Sequence, residues 1–182
     1  MEACIPVDDW PAGFPRPDAI VHQARTALAG IVEIDRLGVE TESGVREACA
    51  FALNVSIEDD AGIAEINREQ RQKDRATDVL SFPAFDFPPG PGTAEIPSEE
   101  LWALLSEWPT PGQAPVYEVG DIVISYESCV RQAGEIGHSV LDEFQRLLVH
   151  GILHLFGYDH ETGAADEERM RAREDRLLSL FD

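Results

Sequence analysis

The chain has 182 residues, 43% of them hydrophobic, which is enough for the core of one folded domain. No apolar run approaches the roughly 20 residues that cross a bilayer, and the first residues lack the basic and apolar segments of a signal peptide, so we expect a cytoplasmic protein. Three widely spaced cysteines argue against a disulfide framework, and the net charge of -21 argues against unaided attraction to nucleic acid.

Hydrophobic periodicity indicates alternating helices and short strands. In chain order the pattern predicts a strand at 4–7, a helix at 17–37, a strand at 45–57, a helix at 62–71, strands at 78–82 and 118–125, and helices at 126–133, 139–155 and 164–180. The predicted fold class is α+β, with a small mixed sheet of about four strands packed with about five helices and a metal site on one helix.

We expect one domain over residues 1–182, with a proline-rich insertion at about 84–117. Most of the twelve prolines lie in this segment, and its proline and glycine clusters are typical of loops. The run at 99–108 can form one short helix with its leucines on a common face. The insertion is either a lid over a cleft or a tolerated surface excursion, and the composition favours the excursion.

Three of the five histidines lie in the run HGILHLFGYDH at 150–160. His150 and His154 are four residues apart, so on a helix their imidazoles share one face and can converge on one ion. Gly157 allows the chain to turn, and His160 can then supply a third ligand, which leaves the fourth position of a tetrahedral zinc ion open. The alternative is three buried histidines without a metal, which is costly without partners. The spacing therefore predicts a catalytic site for one Zn2+ ion.

The same run matches the zinc-protease pattern H-E-x-x-H-x-x-G-x-x-H except at one position. Gly151 stands where that pattern has the glutamate that takes a proton from the zinc-bound water. A glycine cannot accept a proton, which argues against peptide hydrolysis by this route. A peptidase would need a carboxylate supplied from outside the helix.

Three segments of the chain together resemble those of a known protein family. The run HGILHLFGYDH resembles the signature of the YbeY family of bacterial single-strand-specific endoribonucleases, also described as rRNA maturation factors. The run INREQRQKDRATDVLSFP at 66–83 and the run GDIVI at 120–124 resemble two further family segments, in the family's order. The insertion at 84–117 is longer than the family usually carries.

The resemblance implies a zinc-dependent endoribonuclease that hydrolyses RNA phosphodiesters in 16S rRNA 3′-end maturation and in ribosome quality control. Its implied partners are single-stranded RNA or an rRNA precursor and the small ribosomal subunit, with no membrane and no DNA. The alternative from another class is a non-catalytic ribosome-assembly factor with a structural metal site. A carboxylate such as Asp159 closing the fourth coordination position would favour that alternative.

Arg71 is the residue that the resemblance implies to be catalytic. A guanidinium aimed at the phosphate oxygens stabilises the charge that develops in phosphodiester cleavage. The alternative is a structural arginine that binds the sheet edge. Arg71 belongs to a basic cluster that would make a positive spot if it lined the cleft, comprising Arg68, Arg71, Lys73 and Arg75. The alternative for Arg68, Lys73 and Arg75 is a solvated helix face.

Two aspartates and a second basic cluster complete the candidate residues. Asp159 either orients a histidine or caps the turn, and both remain open. The resemblance places Asp121 at a contact with a small-subunit ribosomal protein, whereas its Gly-Asp sequence indicates a plain turn. The arginines of 169–176 alternate with acidic residues, among them Glu174, which indicates a solvated helix.

Overall fold

The structure, a computed structural model, describes residues 10–34, 39–40, 46–47, 50–85 and 116–181. The helices within these ranges are α1 (Pro17–Ile34), α2 (Asp60–Arg71), α3 (Tyr126–Ile136), α4 (Val140–Leu155) and α5 (Ala164–Leu178). The strands are β1 (Val39–Glu40), β2 (Arg46–Glu47), β3 (Ala50–Glu58), β4 (Val79–Pro83) and β5 (Val116–Ser125).

Strand β5 is the centre of a three-stranded mixed sheet. It pairs in parallel with β3 and antiparallel with β4, so that Ile122 lies opposite Val55 on one side and Ser81 on the other. Strands β1 and β2 form a separate antiparallel pair. The α+β class is confirmed, whereas the prediction of about four strands in one sheet is not: the described part of the sheet has three strands.

The predicted strand at 45–57 is wrong at its start, because β2 pairs with β1 and the sheet strand begins only at Ala50. Several predictions fall outside the described residues: the strand at 4–7, the helix at 99–108 and most of the insertion at 84–117. No helix in the described ranges is long and apolar enough to cross a membrane.

Helix α4 lies against the sheet and carries the largest part of the core. Its residues Phe144, Leu148 and Ile152 recur every four positions and are fully buried, and each such side chain contributes about 1.5–3 kcal/mol to stability. A capping box formed by Ser139 and Asp142 starts the helix by pairing backbone N–H groups that would otherwise lack acceptors. Helix α4 is therefore held on the sheet by its buried face, and it carries His150 and His154 near its C-terminal end.

Helix α2 covers part of the opposite face of the sheet. Ile63 of this helix is buried against Leu80 of β4 and Val123 of β5 in a second, smaller cluster. The last residue of α2 is Arg71, and the chain turns away at Gln72 in a left-handed conformation with φ 58°. This packing brings the C-terminal end of α2 to the edge strand β4, beside the end of α4.

Candidate metal centre and its cleft

The structure brings His150, His154 and His160 together at the end of α4. The imidazole centroids of His150 and His154 are 4.6 Å apart, and each lies 5.2 Å from that of His160. One ring nitrogen from each residue lies within 4.8 Å of the others, and the Nε2 atoms of His150 and His154 are separated by 3.1 Å. Three imidazole nitrogens converging on one point are a donor set suited to zinc.

A tight turn after α4 brings the third histidine back to the first two. Gly157 has φ 77°, a left-handed conformation that glycine adopts without steric cost. The N–H of Tyr158 donates to the carbonyl of Leu153, and the N–H of Gly157 donates to that of His154, which is the hydrogen-bond pattern of a Schellman motif. The glycine predicted to permit the turn does so, and His160 follows three residues later.

The electrostatics at the site favour a neutral His154. Burial, together with the neighbouring His150 and His160, lowers the pKa of His154 from 6.5 to about 4. His154 is therefore uncharged at neutral pH, as a metal-binding imidazole must be. On the other side of the pair, Nδ1 of His150 lies 2.7 Å from Oε1 of Glu174, a residue of α5.

Sequence reasoning missed Glu174. The alternation of acidic and basic residues along its helix indicates a solvated helix, and the exposed pair Arg171–Glu167 fits that interpretation. The position of Glu174 in the helical repeat is the sequence signal that could have revealed its contact. Position 174 lies on the same face as the buried Met170 and Leu177, so its side chain points towards α4 and not towards solvent.

Asp159 forms the turn and does not close the metal site. Its carboxylate accepts a hydrogen bond from the N–H of Glu161 at 2.9 Å, and its carbonyl accepts one from the Thr162 hydroxyl at 3.4 Å. Among the described residues the group that could hold a metal contains the three histidines and no carboxylate. These hydrogen bonds support the alternative in which Asp159 caps the turn. The three histidines alone leave the fourth position of a tetrahedral zinc site for a further ligand.

Gly151 lies where helix α4 packs tightly against the sheet. A Cβ at this position would lie 3.1 Å from Cδ1 of Ile122 and 3.1 Å from Oγ of Ser81, closer than ordinary van der Waals contact. Helix α4 packs closely against β4 and β5 here, so a side chain at the position that carries a glutamate in the zinc proteases requires Ile122 and Ser81 to shift. Gly151 itself supplies no proton acceptor for that mechanism.

We therefore expect Gly151→Glu to destabilise the protein and to give no peptidase activity. Overpacking against Ile122 and burial of a carboxylate should together cost about 2–4 kcal/mol in the free energy of unfolding. Thermal unfolding of the variant, compared with Gly134→Glu, measures this cost, because a Cβ at Gly134 on α3 meets nothing within 4 Å. Equal melting temperatures for the two variants would show that the packing at Gly151 is not tight.

Arg71 lies in the same cleft as the histidines, and it also binds the sheet edge. The cleft has a volume of about 550 Å³, and its walls include Arg71, Lys73, His150, His154 and His160. The Arg71 side chain donates from Nη2 to the carbonyl of Ser81 on β4 at 2.8 Å and lies 5.6 Å from the centroid of the Phe82 ring. Both alternatives for Arg71 thus fit its position, because the contact with Ser81 restrains the side chain at the sheet edge and uses few of its five N–H donors.

The basic cluster of 68–75 is only partly in the cleft. Arg71 and Lys73 line it, whereas Arg68 pairs with Glu65 and Asp74 at the surface. Three acidic residues also line the cleft, namely Asp78, Asp159 and Glu161. The condition for a positive spot is therefore met only in part: two cations face three carboxylates among the residues that line the cleft, and a divalent ion would change this balance from −1 to +1.

Asp78, one of the acidic residues that line the cleft, has its negative charge stabilised by hydrogen bonds. Burial opposes its ionisation, but hydrogen bonds from the Gln132 side chain and from the Val79 N–H outweigh burial, so its pKa lies below the usual range. The Gln132 amide donates at 3.0 Å and belongs to α3, so the interaction also ties this helix to the start of β4. The negative charge is thus held by fixed donors at one wall of the cleft.

Asp121 does not form a turn, and that interpretation is wrong. It lies within β5, paired with Asn54 on β3 and with Phe82 on β4. Its exposed carboxylate accepts a hydrogen bond from the Asn54 amide at 3.0 Å. Asp121 therefore lies on the sheet face opposite α4, with its side chain exposed.

A protein-family model and several similar proteins all carry the same family description. The family described as Endoribonuclease YbeY matches residues 25–182. Proteins described as Endoribonuclease YbeY are 47% identical in Leptospira biflexa, over 72% of this chain and 70% of the relative, and 45% identical in Leptospira interrogans, over 71% and 86%. The corresponding protein of Chloroflexus aggregans is 38% identical over 90% of this chain and 94% of its own. Since these matches span most of the chain and include both cleft segments, the chain belongs to the YbeY endoribonuclease family.

Proposed function

We propose that this protein is a zinc-dependent, single-strand-specific endoribonuclease acting in 16S rRNA 3′-end maturation and in ribosome quality control. The observation that carries the proposal is the placement of three convergent histidines and one fixed arginine in a single cleft. The rRNA destination rests on family membership, and the hydrolytic chemistry rests on the side chains. We place the activity in the cytoplasm, where rRNA is matured.

The residues that would hold one zinc ion are His150, His154 and His160. When bound, zinc supplies Lewis-acid chemistry and lowers the pKa of a coordinated water towards neutrality. His154 is neutral at physiological pH and is thus prepared to bind the ion. The carboxylate nearest in sequence, that of Asp159, accepts a hydrogen bond from the Glu161 N–H and does not belong to the group of possible metal ligands, which supports an open position for water or substrate.

Arg71 is proposed to bind the scissile phosphate. Its contact with the Ser81 carbonyl restrains the guanidinium on the cleft wall, so little conformational entropy is lost when a phosphate arrives. Donors held in this way strengthen their interaction as negative charge builds on the phosphate oxygens, which lowers the barrier more than it stabilises bound substrate. Lys73 on the same wall adds a second cation for the backbone of the RNA strand.

The charge distribution favours a substrate presented by a partner. A net charge of -21 repels phosphate at long range, and the cleft has no surplus of cations without the ion. We propose that the small ribosomal subunit supplies the RNA, with exposed Asp121 as one contact to a ribosomal protein. The alternative function is a non-catalytic assembly factor with a structural metal. The same net negative charge is compatible with it, because such a factor need not attract RNA by itself.

Cleavage of one labelled RNA as a single strand and as a perfect duplex tests the proposal. The zinc-loaded protein should cut the single strand and leave the duplex intact, because a duplex holds its phosphates on a stiff helix that cannot bend into the cleft. Equal degradation of both forms would contradict the strand specificity. An intact single strand, both free and as ribosome-bound precursor, would favour the assembly-factor alternative.

A further inference from the structure

We propose that Glu174 is a positioning residue of the metal centre: it holds the His150 ring so that Nε2 faces the ion. The inference rests on the proposed zinc site and extends it to α5, a helix with no metal ligand. The carboxylate of Glu174 contacts Nδ1 of His150 at 2.7 Å. This distance is that of a strong, charge-assisted hydrogen bond.

The packing of α5 makes the contact a built feature. Met170 and Leu177 are 2% and 0% exposed and anchor the helix against the core. Glu174 lies between them on the same face and is only 27% exposed, while the partner ring of His150 is 24% exposed. A carboxylate at this position loses hydration, and the His150 N–H compensates for that loss.

The chemistry of imidazole gives the contact its consequence. A neutral histidine carries one proton, on Nδ1 or on Nε2, and only the nitrogen without it can bind a metal. A carboxylate beside Nδ1 accepts the proton there and leaves Nε2 free. Since Nε2 of His150 is the atom that faces Nε2 of His154 at 3.1 Å, Glu174 selects the tautomer that the three-histidine site requires.

Helix α5 restrains the opposite side of the site as well. Arg173 donates from Nε to the hydroxyl of Tyr158 at 3.0 Å. Tyr158 belongs to the turn that brings His160 to the site, so neighbouring residues of α5 restrain the first ligand and the segment before the third. The helix interpreted as a solvated surface element thus supports the ligand geometry.

Zinc affinity and the protonation of His150 test the role directly. Glu174→Ala removes the acceptor, Glu174→Gln keeps an acceptor without charge, and Glu168→Ala is the matched control, because Glu168 is exposed on the same helix. Zinc dissociation constants are measured by competition with a chromogenic chelator. We expect about 10- to 100-fold weaker binding for Glu174→Ala, an intermediate loss for Glu174→Gln and no change for Glu168→Ala.

The second readout is the 15N chemical shifts of the His150 ring in the metal-free proteins. The wild type should show the proton on Nδ1, and Glu174→Ala should show a mixture of tautomers, a change that a loss of stability alone does not produce. Unchanged zinc affinity and an unchanged tautomer in Glu174→Ala would overturn the inference. A wild type that binds no zinc would overturn it together with the metal site, whereas a wild type that binds zinc but cleaves no RNA would overturn only the proposed activity.

Discussion

Replacing Arg71 by alanine is expected to lower the rate of RNA cleavage by about 10²- to 10³-fold, the usual effect of removing one preorganised donor from a charged transition state. The zinc content should stay the same, because Arg71 does not belong to the histidine group. Single-turnover cleavage of a labelled single strand, with zinc measured on the same samples, separates these two effects. Loss of the Ser81 contact should cost only about 1 kcal/mol of stability.

Two further variants make the result specific to the guanidinium. Arg68→Ala removes an arginine from the same helix that pairs with Glu65 and Asp74 outside the cleft, and it should keep the wild-type rate. Arg71→Lys should recover part of the loss, because an ammonium keeps the charge without the forked donors. If Arg71→Ala cleaves at the wild-type rate, Arg71 serves only to tie α2 to the sheet edge.

Replacing His154 by alanine is expected to weaken zinc binding by about 10²- to 10³-fold. The free energy of zinc binding is shared among the ligands, and each contributes several kcal/mol to it. Cleavage should fall with the bound metal. His154 faces both other histidines, with centroids at 4.6 Å and 5.2 Å, so its removal takes away one of three convergent ligands. Isothermal titration of the metal-free variant with zinc measures the loss.

The matched control for that experiment is His22→Ala. His22 lies exposed on α1, outside the metal-binding group, and its removal should change neither zinc affinity nor rate. Excess zinc should restore activity to His154→Ala in part, because the two remaining ligands still converge. Full activity of His154→Ala without bound zinc would show that the histidines serve another purpose.

Local sequence signals predicted the parts of the site that depend on local geometry. The four-residue spacing of His150 and His154 and the turn at Gly157 follow from the pitch of a helix and from the freedom of glycine, so both were readable before the fold was known. Helix positions were predictable for the same reason, since apolar periodicity reports which face is buried.

The remainder depends on contacts between distant segments. Asp121 looked like a turn residue because Gly-Asp favours turns, but pairing of β5 with strands on both sides overrides that preference. Glu174 was hidden by charge alternation, and only its docking on α4 shows what it contacts. The split of basic residues between cleft and surface depends on where α2 ends, at Arg71.

The most direct test of the account is cleavage of one single-stranded RNA before and after metal removal. Protein stripped by a chelator, and shown by circular dichroism to remain folded, should lose activity and regain it as zinc is added, with saturation at one equivalent. That result would establish the three-histidine site as the source of the activity. Undiminished cleavage by folded, metal-free protein would contradict the central claim.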